Sequence, residues 1–309
     1  MGNKTKNYKS FFKYLLLGAL IYMPIFGHLD TLPIRIWDEA RLAINAYEML
    51  NNNDFIVTHF EGNPDMWNTK PPLMIWTQVF FMKILGVNEL SVRLPSAIAA
   101  LLTCITILIF SLKYLKNFWF GFIAILVLIT SHGYINLHAT RTGDYDALLT
   151  LFTTLSVLLF FTYCEKNNHK HLYLFFLFTA LAVLTKSVSG LLFLPGIFIY
   201  SIIRKQLIPL IKSKHFYIGL LSFLVLVVGY YLLREAKNPG YILAVQKNEL
   251  GGRFLEVIEN HQHGFWYYYN NFIDSRISVW YLLIPCGLIT GFVIKNKKVN
   301  RITLFSFLM

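Results

Sequence analysis

The chain alternates long apolar runs with short basic clusters and three longer polar stretches. It opens on MGNKTKNYKSFFK, which carries Lys4, Lys6, Lys9 and Lys13, and then turns apolar in YLLLGALIYMPIFG. Further apolar runs cover 92–112, 118–137, 147–163, 172–185, 188–203, 216–233 and 277–294. A bilayer core about 30 Å thick takes about 20 apolar residues per helix, so the pattern predicts an all-α polytopic membrane protein with about eight or more transmembrane helices. Basic residues gather in alternate gaps: Lys113 and Lys116, then EKNNHKH, then Arg204, Lys205, Lys212 and Lys214, then KNKK and Arg301. Cytoplasmic loops collect lysine and arginine. The first run therefore reads as a signal anchor with a cytoplasmic N-terminus, ending outside near Leu29, and no small-residue cleavage site is evident.

The other gaps, 30–90, 138–146 and 234–274, hold most of the acidic residues and fall on the extracytoplasmic side. Within the first, Asp38 to Leu50 reads as a short helix. Leu42, Ala46, Met49 and Leu50 share one side, with Arg41, Asn45 and Glu48 on another. Asp38 and Glu39 sit in its first turn, where the helix dipole favours negative charge. Too short to span, this helix suits the membrane interface. PPLMIWTQVFFMKILG, at 71–86, is ambiguous. It contains Gln78 and Lys83 and falls short of the roughly 20 residues of a span. If it crosses, Arg93 lies inside and Lys113 and Lys116 lie outside. If it lies on the surface, Lys113 and Lys116 are inside. The second choice puts every large lysine cluster on the cytoplasmic side, and it predicts a second interfacial helix.

Composition agrees with a membrane protein. The chain is 56% hydrophobic, 17% aromatic and 14% charged, against roughly a quarter charged in a soluble domain. The net charge of +12 follows from the loop lysines and does not point to nucleic acid. Cys104, Cys164 and Cys286 lie in or at the edge of apolar segments, with neither a disulfide framework nor a metal-ligand spacing. Residues 1–309 read as a single transmembrane domain. The sequence stops inside another apolar run, LFSFLM, so a further C-terminal part is expected.

Candidate chemistry falls on the external loops. Asp38 and Glu39 either cap the interfacial helix or supply a carboxylate that takes a proton or holds a metal. Lys70, before two prolines, either snorkels to the headgroups or contacts a lipid phosphate at that depth. Asp144 and Asp146 either cap the next span or, with Arg141, complete a polar pocket. In NELGGRFLEVIENHQHGFWYYYNNF, Arg253 follows two glycines that let backbone approach a ligand. His263, Tyr267 and Tyr268 lie in an aromatic run that is either an interfacial belt or a carbohydrate or lipid site.

At these residues a resemblance becomes specific. W-D-E-A-R at 37–41, E-M-L at 48–50, D-F-I-V at 54–57, K-P-P-L at 70–73 and V-R-L-P-S-A at 92–97 resemble the ArnT-like and protein O-mannosyltransferase-like glycosyltransferases of the GT-C fold. L-T-K-S at 184–187 and the H-x-G-x-x-Y-Y pattern at 263–268 are similar to later blocks of that family. The resemblance implies a multi-spanning enzyme that takes a sugar from a polyprenyl (undecaprenyl) phosphate carrier on the extracytoplasmic face. The acceptor would be lipid A, another glycolipid or a protein. It implies that Asp38 is the acidic catalytic or metal-associated residue, with Glu39 its neighbour and Asp144 or Asp146 the second acid. Lys70 and Arg253 would contact the carrier phosphate, with Arg41 and Arg141 as further candidates, and His263, Tyr267 and Tyr268 would contact substrate. A divalent metal would be the possible cofactor. Two departures bear on it: Thr69 stands where the aminoarabinose transferases have an acid, and Lys247, Asn248 and Glu249 stand where they carry histidine.

The chemistry is consistent with these residues. A lipid phosphate is already a good leaving group, so the site needs cations to stabilise charge developing on it. A single displacement at the anomeric carbon predicts inversion. Two rival readings are a transporter or flippase of lipid-linked sugars and an inactive membrane fragment. A transporter concentrates polar residues at mid-membrane in broken helices, whereas here they gather in loops.

Overall fold

A computed structural model describes residues 2–136, 138–251 and 264–309. These are almost wholly helical. The helices run α1 (Gly2–Phe26), α2 (Asp38–Asn52), α3 (Leu73–Leu85), α4 (Glu89–Phe110), α5 (Phe118–Thr130), α6 (His132–Ile135), α7 (Asp146–Lys166), α8 (His169–Lys186), α9 (Leu194–Ile203), α10 (Leu207–Lys212), α11 (Lys214–Lys237) and α12 (Tyr241–Val245). Beyond the second polar loop come Tyr267–Asn271, Leu283–Val293 and Lys297–Leu308. A two-residue hairpin, β1 (His59–Phe60) with β2 (Asn63–Pro64), sits in the first loop. Gly62 takes the left-handed conformation its tight turn requires (φ 76°).

Among the described residues, four helices are long and apolar enough to cross a bilayer: Glu89–Leu115, Asp146–Lys166, His169–Leu191 and Lys214–Lys237. Phe11–Phe26, Phe118–Thr130 and Leu194–Ile203 are shorter apolar helices. The apolar run at 118–137 is not one helix. Ser131 takes an extended conformation (φ −81°, ψ 121°) that ends α5 before the four-residue α6. Likewise the run at 277–294 begins with a 3₁₀ turn, Ser278–Leu282, before its helix.

Among the described residues the buried apolar side chains form six clusters, and three of them show how the helices are joined. Leu17, Ile21 and Ile25 of α1 meet Ala97, Ala100 and Cys104 of α4 and Phe122, Ile125 and Ile129 of α5. The small residues of α4 let helix backbones approach closely, the usual basis of association inside a bilayer. Phe160 and Phe161 of α7 pack with Leu172 and Phe175 of α8, Tyr200 of α9 and Phe305. The interfacial pair forms its own zone, Ala46 and Met49 of α2 against Ile75, Val79 and Met82 of α3.

The ends of the helices sort the charges. At one end Arg93, just after α3, donates to the carbonyls of Leu29, Leu32 and Pro33 just before α2 (2.7–2.8 Å). Upstream of 71–86 Asn68 bonds Tyr145, and downstream Arg93 shares Glu39 with the Gly143 N–H, so both flanks meet the same 143–145 turn and α3 does not cross. Lys186 at the end of α8 pairs with Asp146 at the start of α7 at this same end. At the opposite end Glu165 accepts from Tyr114 (3.1 Å), Arg204 (3.3 Å) and Arg301 (2.7 Å). The loops expected outside and the clusters expected inside thus occupy opposite ends of the bundle.

Candidate active site

The site is built from the first loop, the turn at 138–146 and the start of the second loop. Glu39 is its anchor. It is 3% exposed, and its two oxygens take four donors: Arg93 Nε (2.7 Å) and Nη2 (3.1 Å), the Gly143 N–H (2.8 Å) and the Arg35 N–H (2.9 Å). Burial raises the Glu39 pKa, but the Arg93 hydrogen bonds and the two backbone N–H groups outweigh it and hold the carboxyl below its ordinary value. With every acceptor position filled, Glu39 is not placed for the proton transfer expected of it. It ties α2 to α4, to the chain leaving α1 and to the 143 turn. Gly143 is required there. A Cβ on it would fall 2.8 Å from the Val92 carbonyl and 2.9 Å from Gln78 Nε2, the amide that donates to both the Val92 and Gly143 carbonyls.

That clamp brings Asp38, His138 and Asp144 together. His138 Nδ1 lies 2.8 Å from Asp144 Oδ2 and 3.4 Å from Asp38 Oδ2. The Asp38 side chain is 65% exposed, whereas that of Asp144 is 6% exposed. The Asp144 hydrogen bond raises the His138 pKa above 6.5; burial opposes it, and the charges of Asp144, Asp38 and Asp146 add to it. Strained backbone surrounds the cluster: Trp37 (φ 76°) precedes Asp38, and His138 itself has φ 67°. Such conformations cost about 1–3 kcal/mol each and persist where the surroundings over-determine them. Here Arg93 and Glu39 grip the chain around Trp37. The three residues offer ligand atoms within 4.8 Å of one another. Two carboxylates and an imidazole form a donor set that suits a divalent cation.

Asp144 and Asp146, two residues apart, part company. Asp144 faces His138, while Asp146 is held by Lys186.

Lys70 lies over the ring of Tyr145. It is 8% exposed, with Nζ 5.5 Å from the centre of the Tyr145 ring and 3.4 Å from Glu249 Oε1. Its loop is fixed from several directions. Asp65 takes both Nε (2.9 Å) and Nη2 (2.7 Å) of Arg41 and the N–H groups of Trp67 and Asn68. Asn68 and the Tyr145 hydroxyl exchange hydrogen bonds (2.9–3.0 Å). Tyr241 donates to the Thr69 carbonyl (2.8 Å), and Asn248 to that of Met66 (2.8 Å). Arg234, fully buried at the end of α11, donates to the Thr58 hydroxyl (3.0 Å) and the Asp65 carbonyl (3.3 Å) beneath the Tyr241 ring.

Arg41, expected at the carrier phosphate, is therefore engaged by Asp65 and stacked on Phe60, with Cζ 4.3 Å from the ring centre. Arg141 donates to the Gly27 carbonyl (2.6 Å) and lines a separate cleft. Arg253 and His263 lie outside the described residues. Tyr267 and the backbone of Tyr268 open the short helix Tyr267–Asn271. Sequence reasoning missed His138, Glu249, Asp65, Gln78 and Arg234. Glu249 carried a signal, because it occupies a position where a metal-binding histidine was expected. The others are set by contacts between distant segments.

Comparisons with known proteins bear on the family and the fold. The chain is 25% identical over 213 residues to an uncharacterized protein of Aquifex aeolicus, covering 69% of this chain and 42% of that one. It is 25% identical over 286 residues to the undecaprenyl phosphate-alpha-4-amino-4-deoxy-L-arabinose arabinosyl transferase of Aeromonas hydrophila, covering 90% of this chain and 50% of that one. The chain thus spans about half the length, or less, of these curated relatives. The crystal structure of ArnT from Cupriavidus metallidurans bound to undecaprenyl phosphate superposes with a TM-score of 0.79 at 17% identity, over 95% of this chain and 54% of that one. That likeness shows the fold, the polytopic GT-C type. The sequence model of dolichyl-phosphate-mannose-protein mannosyltransferases matches residues 69–231, a little over half of the sequence, and the chain belongs to that family.

Proposed function

We propose that the chain forms the membrane-embedded catalytic region of an inverting glycosyltransferase that uses a polyprenyl-phosphate-linked sugar. The observation that carries this reading is that two groups with complementary tasks meet at the Asp144–Tyr145 step of the chain. Lys70, a cation, lies over the Tyr145 ring, and the Asp38–His138–Asp144 cluster gathers at the residue before it. Family membership and the names of the relatives support the same chemistry.

In the reaction, the bond between the anomeric carbon and the carrier phosphate oxygen breaks as an acceptor oxygen bonds to that carbon from the opposite face. The electron pair of the broken bond leaves with the polyprenyl phosphate. Lys70 stabilises the charge developing there, and Glu249 and the Tyr145 ring hold its ammonium in position. Asp38, the exposed carboxylate, orients a hydroxyl acceptor and takes its proton. If the acceptor is itself a phosphate oxygen, there is no proton to take and Asp38 orients the acceptor. Asp144 and His138 hold Asp38 in place, and Glu39 holds the turn that carries both.

A divalent cation, if bound, would be held by Asp38, His138 and Asp144, where it would supply Lewis-acid stabilisation of negative charge. Thr69 donates its hydroxyl toward Glu249 (3.4 Å) and offers no acid there, so a site built on residue 69 is not supported. Binding of manganese to the purified full chain, measured by calorimetry and abolished in Asp144→Asn, tests the proposed ligand set.

The proposed acceptor is lipid A, another glycolipid or a protein, and the partners are membrane lipids rather than nucleic acid. The site is proposed to face the extracytoplasmic side of the inner membrane, with the N-terminus cytoplasmic. Mass spectrometry of glycolipids and glycoproteins from cells carrying wild type, Asp38→Asn or no enzyme tests the transfer. A sugar-bearing product that appears only with the wild type supports the reading, and no such product removes it.

A further inference from the structure

A second cationic cleft lies beside the site but does not include Lys70, Glu249 or Tyr145. It is lined by Arg35, Arg93, Arg141 and Thr142, together with His28 and Asn136. No carboxylate lines it. Arg93 is neutralised by Glu39 and spends its N–H groups on that carboxylate and on three carbonyls. Arg35 and Arg141 are not neutralised in this way. Among the described residues the Arg35 guanidinium has no ion-pair partner, and Arg141 commits only Nη2, to the Gly27 carbonyl. The cleft therefore carries an excess of positive charge.

Thr142 supplies an independent observation. It is 5% exposed, and among the described residues its hydroxyl has no hydrogen-bond partner. A buried hydroxyl without a partner is destabilising, because it gave up its hydrogen bonds to water and gained none in return. One that lines a cationic cleft is satisfied by an anion accepting from it together with the guanidinium groups. Planar N–H forks beside a hydroxyl donor match the oxygens of a phosphate.

The surroundings indicate where that phosphate comes from. The cleft opens at the end of α1, where the first apolar helix stops. Leu32, Ile36 and Trp37 are 56%, 84% and 82% exposed beside it. Apolar side chains and a tryptophan at a helix end mark the headgroup level of a membrane, the depth at which lipid phosphates lie. We infer that the Arg35–Arg141–Thr142 cleft binds the phosphate of an anionic membrane phospholipid, separately from the sugar-carrier site at Lys70. The lipid headgroup accepts from both guanidinium groups and the hydroxyl while its tails follow α1.

Titration of the purified full chain in detergent with phosphatidylglycerol, phosphatidylcholine or inorganic phosphate tests this, with bound lipid counted by native mass spectrometry. Wild type is expected to retain phosphatidylglycerol over phosphatidylcholine. Arg35→Gln and Thr142→Val are each expected to weaken phosphatidylglycerol retention by about tenfold, the scale of one hydrogen bond to a charged group. Neither substitution breaks a bond within the protein, so the melting temperature of lipid-free Thr142→Val should equal or exceed that of wild type. Equal retention by wild type and both variants overturns the proposal. So does equal retention of the two lipids, or a lower melting temperature of lipid-free Thr142→Val. Inorganic phosphate that displaces phosphatidylglycerol at millimolar concentration would assign the cleft to a free anion and overturn the lipid source.

Discussion

In the proposed mechanism Lys70 serves the leaving phosphate and Asp38 the acceptor, so their substitutions should separate. Lys70→Gln keeps a polar side chain but removes the cation facing the leaving phosphate. Loss of one such stabilising group costs about 10²–10³ in turnover, read as sugar transferred per minute by membranes carrying equal amounts of protein. Asp65 gives a pH dependence that belongs to the scaffold. Burial raises its pKa, but the Arg41 pair and the amides of Asn68 and Asn45 outweigh this and hold it below its ordinary 3.8. Its contribution to stability is therefore present above that value and lost as pH falls through the lower folded one. Asp65→Asn should be less stable than wild type at neutral pH, with the gap closing in acid, as followed by thermal unfolding in detergent. Asp38 and Lys70 could be singled out in the sequence as candidates because each stands at a polar position inside a recognisable block. The Asp65–Arg41 pair was not, because its members lie 24 residues apart on either side of a hairpin. Nor was the different duty of Glu39, since adjacent acids look alike until one of them meets a buried arginine 54 residues away.

The elements around the site act as one clamp. α2 delivers Glu39, α4 delivers Arg93, and the turn before α7 delivers the Gly143 amide, so Asp38 and Asp144 approach only while all three are joined. Glu39→Gln leaves the buried Arg93 without its counter-charge. It should destabilise by about 3–5 kcal/mol, the usual cost of breaking a buried ion pair from one side, measured by thermal or denaturant unfolding in micelles. Gly143→Ala inserts a methyl group beneath Gln78 and Val92, where overpacking costs about 1–3 kcal/mol. It should also lower transfer, since Asp144 is the next residue. Helix α3 was the ambiguous element in the sequence, because its length falls between a core helix and a span. The structure resolves it through its flanks, since Asn68 and, by way of Glu39, Arg93 both meet the 143–145 turn. The break at Ser131 was not legible, because an apolar run carries no mark of a change in backbone conformation.

At the scale of the molecule, the charges divide between two ends of a helical bundle. Glu165, Arg204 and Arg301 gather at one end, and Asp38, Lys70, Asp144 and Lys186 at the other. On the orientation proposed from the positive-inside pattern, the Glu165 end faces the cytoplasm. A membrane-impermeant thiol reagent should then label a cysteine placed at Asn63 and not one placed at Asn168 in intact cells; the reverse labelling would invert the assignment. The central claim is that Lys70 holds the carrier phosphate while the Asp38 cluster serves the acceptor. It is tested most directly by the binding of undecaprenyl phosphate to the purified full chain, compared among wild type, Lys70→Gln and Asp38→Asn. Wild type and Asp38→Asn should bind alike, with Lys70→Gln weaker by about tenfold or more, the scale of a charge-assisted hydrogen bond. Equal binding by Lys70→Gln and wild type, or an equal loss in Asp38→Asn, would contradict it.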